Sequence, residues 1–390
     1  MSFDGISEPT PAGEHTGDSF AAVLTPEGEL LTDSPFYTPV DPEDLRSLYR
    51  DLVLVRRFDT EATALQRQGE LGLWAPSLGQ EAAQVGAGRA MAPLDMAFPT
   101  YREHGVAWCK GVTPEQVLSL FRGTTNGGWD PQEHRFALYT IVIGNQCLHA
   151  VGYAIGIQLD GRTGDGSGAD APAEAAICFF GDGATSQGDV NEAFVWGAVT
   201  DAPVVFFCQN NQWAISEPSS RQTRIPLYRR ADGFGFPGIR VDGNDVLAVR
   251  EVTRRALDRA RRGDGPTLIE AYTYRMGAHT TSDDPTRYRV AADNETWKLR
   301  DPLERVRALL LRHGWAGPEF IAQLDQESDD LATRIRSTVR AMPDPDPQSM
   351  FDHAYAPGHP GIAGERERFS AYQDSFAEVG PAAGHGRGSR

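Results

Sequence analysis

Two apolar runs in the sequence end abruptly at polar residues that could bind a ligand. The run at 175–180 is followed by a Gly-Asp-Gly turn that contains Asp182, and the run at 202–209 is followed by the chain's Asn-Asn pair, which ends at Asn211. The two residues are 29 positions apart (211 − 182), about the length of one loop, one helix and one strand. Because neighbouring parallel strands carry their carboxyl ends at one edge of a sheet, this spacing predicts that Asp182 and Asn211 lie side by side.

The chemistry of this pair suits a hard cation. An Asp carboxylate and an Asn carbonyl are oxygen donors, which favour Mg²⁺ or Ca²⁺ over a thiophilic metal, and Mg²⁺ usually takes further oxygens from a phosphate ligand. Glycines at 181 and 183 would let such a ligand approach the backbone, and free amides at the following helix start favour phosphate. The Gly-Asp-Gly triplet occurs three times, but only 181–183 follows a predicted buried strand. The alternative is two ordinary strand-end turns without a ligand.

The elements around these turns predict an α/β fold with an open, doubly wound parallel sheet. The strands are apolar along their whole length, which is typical of parallel strands covered on both faces. The helix at 41–69 is predicted to begin with Asp41 as N-cap and Pro42 as its first residue. Predicted strands occupy 137–144, 175–180, 202–209, 238–243 and 266–275, and further predicted helices occupy 145–161, 189–201 and 245–262.

We expect three regions along the chain. Residues 1–40, rich in Gly, Pro and acidic residues, are predicted to form a flexible N-terminal arm. Residues 41–345 form the main domain. Residues 346–390 form a C-terminal segment with a disordered end, after a Pro- and Asp-rich break. The Gly-rich stretch at 162–174 is predicted to be a flexible loop within the main domain.

Composition narrows the function classes. The chain has 390 residues and a formal net charge of −17, which makes nucleic acid an unfavourable partner because phosphate binding needs a basic face. No run approaches the length of a membrane helix, and the N-terminus lacks a signal-peptide pattern, so we expect a cytoplasmic protein with no membrane contact. The four cysteines form no CxxC pair and predict free thiols rather than a zinc site or disulfides.

The spacing of the two turns also resembles a known cofactor motif. Gly-Asp-Gly, 26 residues and then Asn-Asn (181–211) is similar to the thiamin diphosphate-binding motif. The surrounding sequence, GDGATSQGDVNEAFVWGAV followed by PVVFFCQNNQWAIS, resembles the α subunits of heteromeric 2-oxo acid dehydrogenases, the decarboxylating components of the pyruvate and branched-chain complexes. The resemblance covers roughly residues 45–350 and implies the thiamin diphosphate-binding fold.

The resemblance implies a set of cofactor ligands. Asp182 and Asn211 would bind Mg²⁺ through their side chains, and Trp213 through its backbone carbonyl. Gly183 and Ala184 would meet the diphosphate through backbone amides. The segment FPTYREHG (98–105) matches a family motif whose tyrosine and arginine, here Tyr101 and Arg102, hold the diphosphate. At Gln209 some relatives carry an arginine that reaches the diphosphate.

Two further segments match the family. In LYTIVIGNQCLHAVG, Ile141 would contact the aminopyrimidine ring through backbone groups, and Ile143 would be the apolar wedge under the bent cofactor; without the resemblance both residues are predicted to be core strand residues. The segment YRMGAHTTSDDPTRYR matches the active-site loop, in which His279 is the catalytic histidine near the diphosphate and the reacting carbon. Thr280 stands where mammalian relatives carry a regulatory serine. The loop's implied supporting residues are Arg275, Asp283, Tyr288 and Arg289.

The implied reaction is oxidative decarboxylation of a 2-oxo acid, either pyruvate or a branched-chain acid, with transfer of the acyl group to a lipoyl group on a separate acyltransferase. The family's carboxylate for the pyrimidine ring lies on a β subunit, so the resemblance implies half an active site and an α₂β₂ heterotetramer. An acetoin dehydrogenase α subunit is an alternative with the same motifs. A nucleotide-dependent α/β enzyme would need a GxGxxG or GxxxxGK[ST] motif after a strand, and neither occurs.

Overall fold

The computed structural model describes residues 20–164 and 173–377. Its centre is a five-stranded parallel sheet with the strand order β1-β2-β3-β7-β6, and a separate two-stranded antiparallel hairpin joins β4 to β5. The strands are β1 (Met96–Phe98), β2 (Ala176–Gly181), β3 (Val204–Asn210), β4 (Trp213–Ala214), β5 (Glu217–Pro218), β6 (Gly238–Asp242) and β7 (Thr267–Tyr272).

Thirteen α-helices are assigned within these described residues. They are α1 (Pro42–Arg67), α2 (Glu81–Ala90), α3 (His104–Cys109), α4 (Pro114–Arg122), α5 (Pro131–His134), α6 (Asn145–Leu159), α7 (Gly188–Val199), α8 (Arg230–Phe234), α9 (Val246–Arg261), α10 (Ala291–Lys298), α11 (Pro302–Arg312), α12 (Pro318–Ala341) and α13 (Pro360–Ala377). None of the described helices is long and apolar enough to cross a membrane.

Helices cover both faces of the sheet, which confirms the doubly wound α/β prediction. Along β2 and β3, successive residues enter two different apolar layers. Phe179 and Phe207 pack into the layer shared with α1, α2, α9, α11 and α12, whereas Phe180 and Phe206 pack into the layer shared with α6 and α7. Every residue of β3 is buried. This two-sided burial explains why the strands are apolar throughout rather than alternating.

The predicted helix starts follow local capping chemistry. Asp41 caps α1, with its carboxylate accepting the Glu43 N–H at 3.1 Å, and Pro42 is the first helical residue. The observed α1, α6, α7 and α9 each begin and end within two residues of their predicted limits. Asp41 and Asp245 cap α1 and α9, whereas α6 and α7 begin without a side-chain capping bond and follow apolar periodicity.

The predicted strand at 137–144 is wrong. After Phe136, which forms a single bridge to Ala97 beside β1, the chain leaves the sheet edge and runs without regular structure to α6. The apolar side chains of Ile141, Val142 and Ile143 are exposed. Apolar sequence predicts burial, but within this chain alone nothing covers these side chains.

The predicted flexible arm is wrong for its second half. Ala21 pairs with Val241 in β6 and extends the sheet edge, and Val23 and Leu24 are buried in the core. The Asp245 carboxylate accepts the Val23 and Leu24 N–H groups, each at 2.6 Å. Sequence reading missed this because the anchoring carboxylate lies over 200 residues away. Residues 1–19 lie outside the described part of the chain.

The Pro- and Asp-rich stretch lies between α12 and α13. Helix α12 ends at Ala341, a 3₁₀ helix follows at Pro347–Phe351, and α13 packs against it through the Phe351 and Phe369 rings, whose centroids are 5.6 Å apart. The predicted disordered end beyond residue 377 and most of the predicted loop at 162–174 lie outside the described residues.

We expect Asp245 to be a far larger stabilising cap than Asp41. Its carboxylate also accepts the Leu247 and Ala248 N–H groups at the start of α9, at 3.0 Å each. Asp245→Ala should lower the free energy of unfolding by about 3 kcal/mol, because it removes a cap and leaves buried N–H groups unpaired. Urea unfolding followed by circular dichroism measures this. Asp41→Ala, an exposed cap, is the matched control and should cost about 1 kcal/mol; equal losses would contradict the anchoring role.

Candidate active site

The predicted site residues come together in a cleft at the carboxyl ends of β2 and β3. The cleft has a volume of about 250 Å³. Its walls are the two strand ends, the segments after β1 and before α6, and the loop after β7. Ile141 does not line the cleft, because its side chain points to solvent with 68% of its surface exposed. The implied ligands that do line it are Tyr101, Arg102, Ile143, Asp182, Gly183, Ala184, Asn211, Trp213 and His279.

Asp182 is a buried carboxylate at the base of the cleft. It follows β2 directly and begins a 3₁₀ helix at Asp182–Ser186. The side-chain amide of Gln222 donates to its Oδ2 at 3.1 Å. Burial raises the pKa of Asp182 to about 6, and the charge of Arg275 opposes this only in part. A cation bound beside Asp182 would stabilise the ionised form.

Asn211 presents its amide oxygen in a fixed orientation. Its Oδ1 accepts the Trp213 N–H at 3.2 Å, and its Nδ2 donates to the Gln80 Oε1 at 3.0 Å. The preceding Asn210 turns away from the cleft and donates to the buried carboxylate of Glu270 at 2.7 Å. The two asparagines therefore have different roles: Asn210 holds the strand end, and Asn211 faces the cleft.

The donor set in the cleft is one of oxygens. Asp182 offers a carboxylate and Asn211 an amide oxygen, and the Trp213 carbonyl accepts an Arg275 N–H at 3.1 Å, which leaves it a second lone pair. In the part of the chain that the structure describes, no three His, Cys, Asp or Glu side chains cluster so as to hold a metal. A cation here would thus depend on one carboxylate with neutral oxygens, a set that suits a hard ion.

The two glycines flanking Asp182 serve different purposes. A side chain at Gly181 would meet no atom within 4 Å, so open space lies in front of it. At Gly183, a Cβ would meet the Ala214 Cβ at 2.7 Å, because the β4–β5 hairpin lies against this turn. The expectation that both glycines make room for a ligand therefore fits Gly181, whereas packing of the hairpin already requires Gly183.

Arg102 is held by protein carbonyls in this structure. Its Nη1 donates to the Pro76 carbonyl at 2.5 Å, and its Nη2 donates to the His279 carbonyl at 2.8 Å. The guanidinium is buried and lies beside the Tyr101 ring. Arg102 thus joins the segment after β1 to the segment before α2 and to the active-site loop.

His279 is held as a neutral imidazole. Its Nδ1 lies 3.2 Å from the Arg102 Nη2 and 3.3 Å from the Arg275 Nη1. Guanidinium groups only donate hydrogen bonds, so Nδ1 must accept and the ring proton must lie on Nε2. Burial and the two arginine charges lower the pKa of His279 to about 4. The backbone N–H of His279 donates to Asp283 at 2.8 Å.

The predicted supporting residues of the loop form one network. Arg275 donates to the Ile215 carbonyl at 2.6 Å and to the Tyr288 hydroxyl at 3.0 Å, and that hydroxyl donates to Asp283. Arg289 donates to the Gly277 carbonyl at 2.6 Å. These bonds fix both ends of the loop. The Thr280 hydroxyl lies 3.1 Å from the Ser282 hydroxyl.

Sequence reading missed several polar residues of the cleft. Glu103 is buried, accepts two bonds from Thr100 at 2.5 Å each and accepts one from the Gln209 amide at 2.6 Å. Burial raises the pKa of Glu103. Gln80 and Gln146 also line the cleft. Gln209 gave a signal, since it is polar within an apolar run, whereas Gln80 and Glu103 lie in polar segments and gave none.

We expect His279 to stay neutral down to about pH 5, because its pKa in the folded chain is lowered to about 4. In the unfolded chain the same imidazole takes up a proton near pH 6.5. Nitrogen-15 NMR of the imidazole should report the Nε2–H tautomer at pH 7. Arg102→Gln should raise the pKa of His279 toward its ordinary value, because it removes a neighbouring positive charge. Arg221→Gln, an exposed arginine outside the cleft lining, is the control; a cationic His279 at pH 7 in the unaltered chain would refute the assignment.

Comparison with known proteins gives this geometry a family. The profile of the family described as "Dehydrogenase E1 component" matches residues 49–348. The "3-methyl-2-oxobutanoate dehydrogenase subunit alpha" of Mycobacterium tuberculosis is 44% identical over 350 residues, which cover 90% of this chain and 93% of that protein.

Two further relatives are more distant. The "Pyruvate dehydrogenase E1 component subunit alpha" of Staphylococcus aureus is 39% identical over 317 residues, covering 80% of this chain and 83% of the relative. The protein of the same name from Acholeplasma laidlawii is 36% identical over 336 residues, covering 85% and 94%. The match over most of the chain confirms the predicted resemblance: this chain belongs to the dehydrogenase E1 component family.

Proposed function

We propose that the chain is the α subunit of a 2-oxo acid dehydrogenase that uses thiamin diphosphate and Mg²⁺. Membership of the E1 family implies dependence on thiamin diphosphate. The observation that carries the proposal is the placement of Asp182, Asn211 and the Trp213 carbonyl in one cleft with Arg102 and His279. These groups offer hard oxygens for a cation and donors for an anion.

The cleft fits such a cofactor on its own evidence. Open space lies in front of Gly181, and Asp182 is a buried carboxylate with a raised pKa, which a bound cation would lower. Among the described residues, the Gln80 Nε2, the Gln146 Oε1 and the Gln209 Oε1 are buried in the cleft wall without a partner. Buried polar atoms are nearly always paired, so these atoms support the presence of a polar ligand.

Each residue then has a stated task. Asp182, Asn211 and the Trp213 carbonyl would hold Mg²⁺. The first amides of the 3₁₀ helix at Gly183 and Ala184 would face the diphosphate. Tyr101 and Arg102 would bind the same group, Arg102 through the part of its guanidinium that the Pro76 and His279 carbonyls leave free or after releasing them. Ile141 would contact the aminopyrimidine ring through its backbone groups, and the Ile143 side chain, which lines the cleft, would support the bent cofactor.

Thiamin diphosphate would supply the electron sink that makes loss of CO₂ from a 2-oxo acid possible. The chain's own contribution beyond binding is His279. Because its Nδ1 is occupied by two arginines, its Nε2–H is the atom that can donate to a substrate oxygen or to the incoming lipoyl group. The fixed protonation state keeps this donor available over the physiological pH range.

We propose a branched-chain 2-oxo acid as the preferred substrate, with pyruvate as the second candidate. The support is the 44% identity to the 3-methyl-2-oxobutanoate enzyme of Mycobacterium tuberculosis over 90% of this chain. This relative and the two pyruvate dehydrogenase relatives carry the names of 2-oxo acid dehydrogenases, which does not favour an acetoin dehydrogenase. The acyl group would pass to a lipoyl group of a separate acyltransferase.

A β subunit would complete the site and cover an apolar helix face. Leu159 on α6 and Trp196 and Val199 on α7 are exposed, and Gly152 and Gly156 on α6 have open space in front of them. Apolar patches of this kind mark interaction sites. We propose that this α6–α7 face (Gly152, Gly156, Leu159, Trp196 and Val199) docks the β subunit in an α₂β₂ heterotetramer.

We also propose that the enzyme works in the cytoplasm. The support is that all four cysteines are free thiols, three of them buried, which suits a reducing compartment.

The metal assignment is tested by Asp182→Ala in the reconstituted heterotetramer. Isothermal titration with thiamin diphosphate and Mg²⁺ should show at least a hundredfold loss of affinity, whereas the cofactor-free variant should unfold at the same temperature or higher at pH 8, since a desolvated carboxylate is gone. That stability gain should shrink below pH 6, where the folded carboxyl is protonated. Asp232→Ala, an exposed acid on α8, is the control. Unchanged cofactor affinity in Asp182→Ala would show the assignment to be wrong.

The proposed activity is tested by reconstitution. The chain alone should not decarboxylate any 2-oxo acid, because its implied ring-activating carboxylate lies on the partner. Adding the β subunit should restore turnover with an artificial electron acceptor, faster with 3-methyl-2-oxobutanoate than with pyruvate. Activity of the single chain would indicate that Glu103, a second buried carboxylate that lines this cleft, activates the ring, and loss of that activity in Glu103→Gln would identify it.

The proposed α6–α7 face is tested by substituting one exposed leucine within it and one outside it. Leu159→Asp should prevent assembly with the β subunit, measured by analytical ultracentrifugation, because it places a charge in an apolar interface. Leu311→Asp, on α11 across the sheet, should assemble normally.

A further inference from the structure

Gln80 is a buried residue whose position is unusual for its place in the chain. It is the N-cap residue of α2, yet its side chain makes no capping bond to the helix. The side chain turns into the wall of the cleft instead and is fully buried. Its Oε1 accepts the Asn211 Nδ2–H at 3.0 Å.

The hydrogen-bond pattern fixes which end of the Gln80 amide is free. The Trp213 N–H donates to the Asn211 Oδ1 at 3.2 Å, so the Asn211 Nδ2 must face Gln80. Gln80 therefore offers its oxygen to Asn211. Its Nε2, a donor with two N–H groups, is then buried without a partner among the described residues.

A neighbouring glutamine shows that close packing around α2 does not force the Gln80 Nε2 to remain unpaired. Gln84 lies one turn further along α2 and is also buried. Its Nε2 donates to the Arg102 carbonyl at 2.9 Å, and its Oε1 accepts the Gly105 N–H at 2.8 Å. Packing around α2 can thus satisfy both ends of a buried amide, so the free donor of Gln80 points to a ligand.

We propose that Gln80 is a further cofactor-binding residue, whose Nε2–H donates to an anionic or metal-bound oxygen while its Oε1 holds Asn211 in register. This inference rests on the proposed function. Gln80 is bonded to Asn211 and lines the same cleft as Asp182 and Trp213, so its donor would meet an oxygen of the ligand held there. A water on Mg²⁺ directs its hydrogens outward and donates, so the acceptor for the Gln80 N–H would be a diphosphate oxygen. A neutral amide binds such an oxygen without adding charge to the cleft.

Two variants of the heterotetramer separate the two ends of the amide. Gln80→Glu keeps an acceptor for Asn211 but replaces the donor with a carboxylate oxygen. Gln80→Met keeps the length of the side chain and removes both bonds. If the free donor binds the cofactor, affinity for thiamin diphosphate with Mg²⁺ should fall about 10- to 100-fold in Gln80→Met and further in Gln80→Glu, because like charges repel. Near-normal binding by Gln80→Glu would mean that Gln80 only orients Asn211, and would overturn the proposal.

Stability of the cofactor-free protein gives a second readout. Gln80→Met should lower the unfolding temperature only slightly, because it leaves one buried group, the Asn211 Nδ2, unpaired but also removes a buried donor that has no partner. Gln84→Met, the matched control on the same helix, should lower it, because it leaves the Arg102 carbonyl and the Gly105 N–H unpaired. A loss of stability in Gln80→Met as large as that in Gln84→Met, with unchanged cofactor affinity, would assign Gln80 a structural role and refute the inference.

Metal removal separates the free donor from the orientation of Asn211. With EDTA present, Gln80→Met should still lose affinity for thiamin diphosphate if the donor binds a diphosphate oxygen, and should bind it as well as the unaltered chain does if Gln80 acts only through Asn211 and the metal. The first result supports the proposal, and the second overturns it. If the unaltered heterotetramer fails to bind thiamin diphosphate with Mg²⁺, the proposed function itself fails; if it binds and Gln80→Met binds equally well, only this inference fails.

Discussion

The parallel pairing of β2 with β3 is the constraint on which the site depends. Gly181 pairs with Gln209, so Asp182 and Asn211 leave the sheet at the same edge, close to one another. Successive residues of both strands enter two different apolar layers, and a shift of one residue would exchange the layers. A slip of the register by one residue would therefore move the side chains of each apolar layer into the other layer. The observed register places Asp182 and Asn211 side by side without a direct bond between them.

Burial, rather than net charge, controls the electrostatics of the cleft. The chain is strongly acidic overall, yet the cleft holds two buried arginines, Arg102 and Arg275, both bonded to backbone carbonyls. Burial, together with these two charges, lowers the pKa of His279 and keeps it neutral, and burial raises the pKa of Asp182. The same low-polarity surroundings thus leave a carboxyl group whose ionised form a cation would stabilise, and a neutral histidine with a free Nε2–H. A cofactor that contains a metal and a diphosphate would use both properties.

The structure also leaves two kinds of surface unfinished. One is polar: the Gln80 Nε2, the Gln146 Oε1 and the Gln209 Oε1, which are buried in the cleft wall without a partner among the described residues. The other is apolar: the exposed segment before α6 and the α6–α7 face. A single folded chain rarely retains either, because each costs free energy. The proposed cofactor would pair the polar atoms, and the proposed β subunit would cover the apolar face.

The sequence by itself determined the sheet class, the helix starts and the two strand ends that carry Asp182 and Asn211, because caps, apolar runs and crossover length are local properties. It also placed His279 by resemblance. Tertiary structure decided the rest. Gln80 reaches Asn211 across 131 residues, Asp245 anchors a segment predicted to be mobile, and Ile141 and Ile143 are exposed although they are apolar. Local sequence cannot encode which distant side chain satisfies a buried polar atom, because that depends on how the packed elements meet.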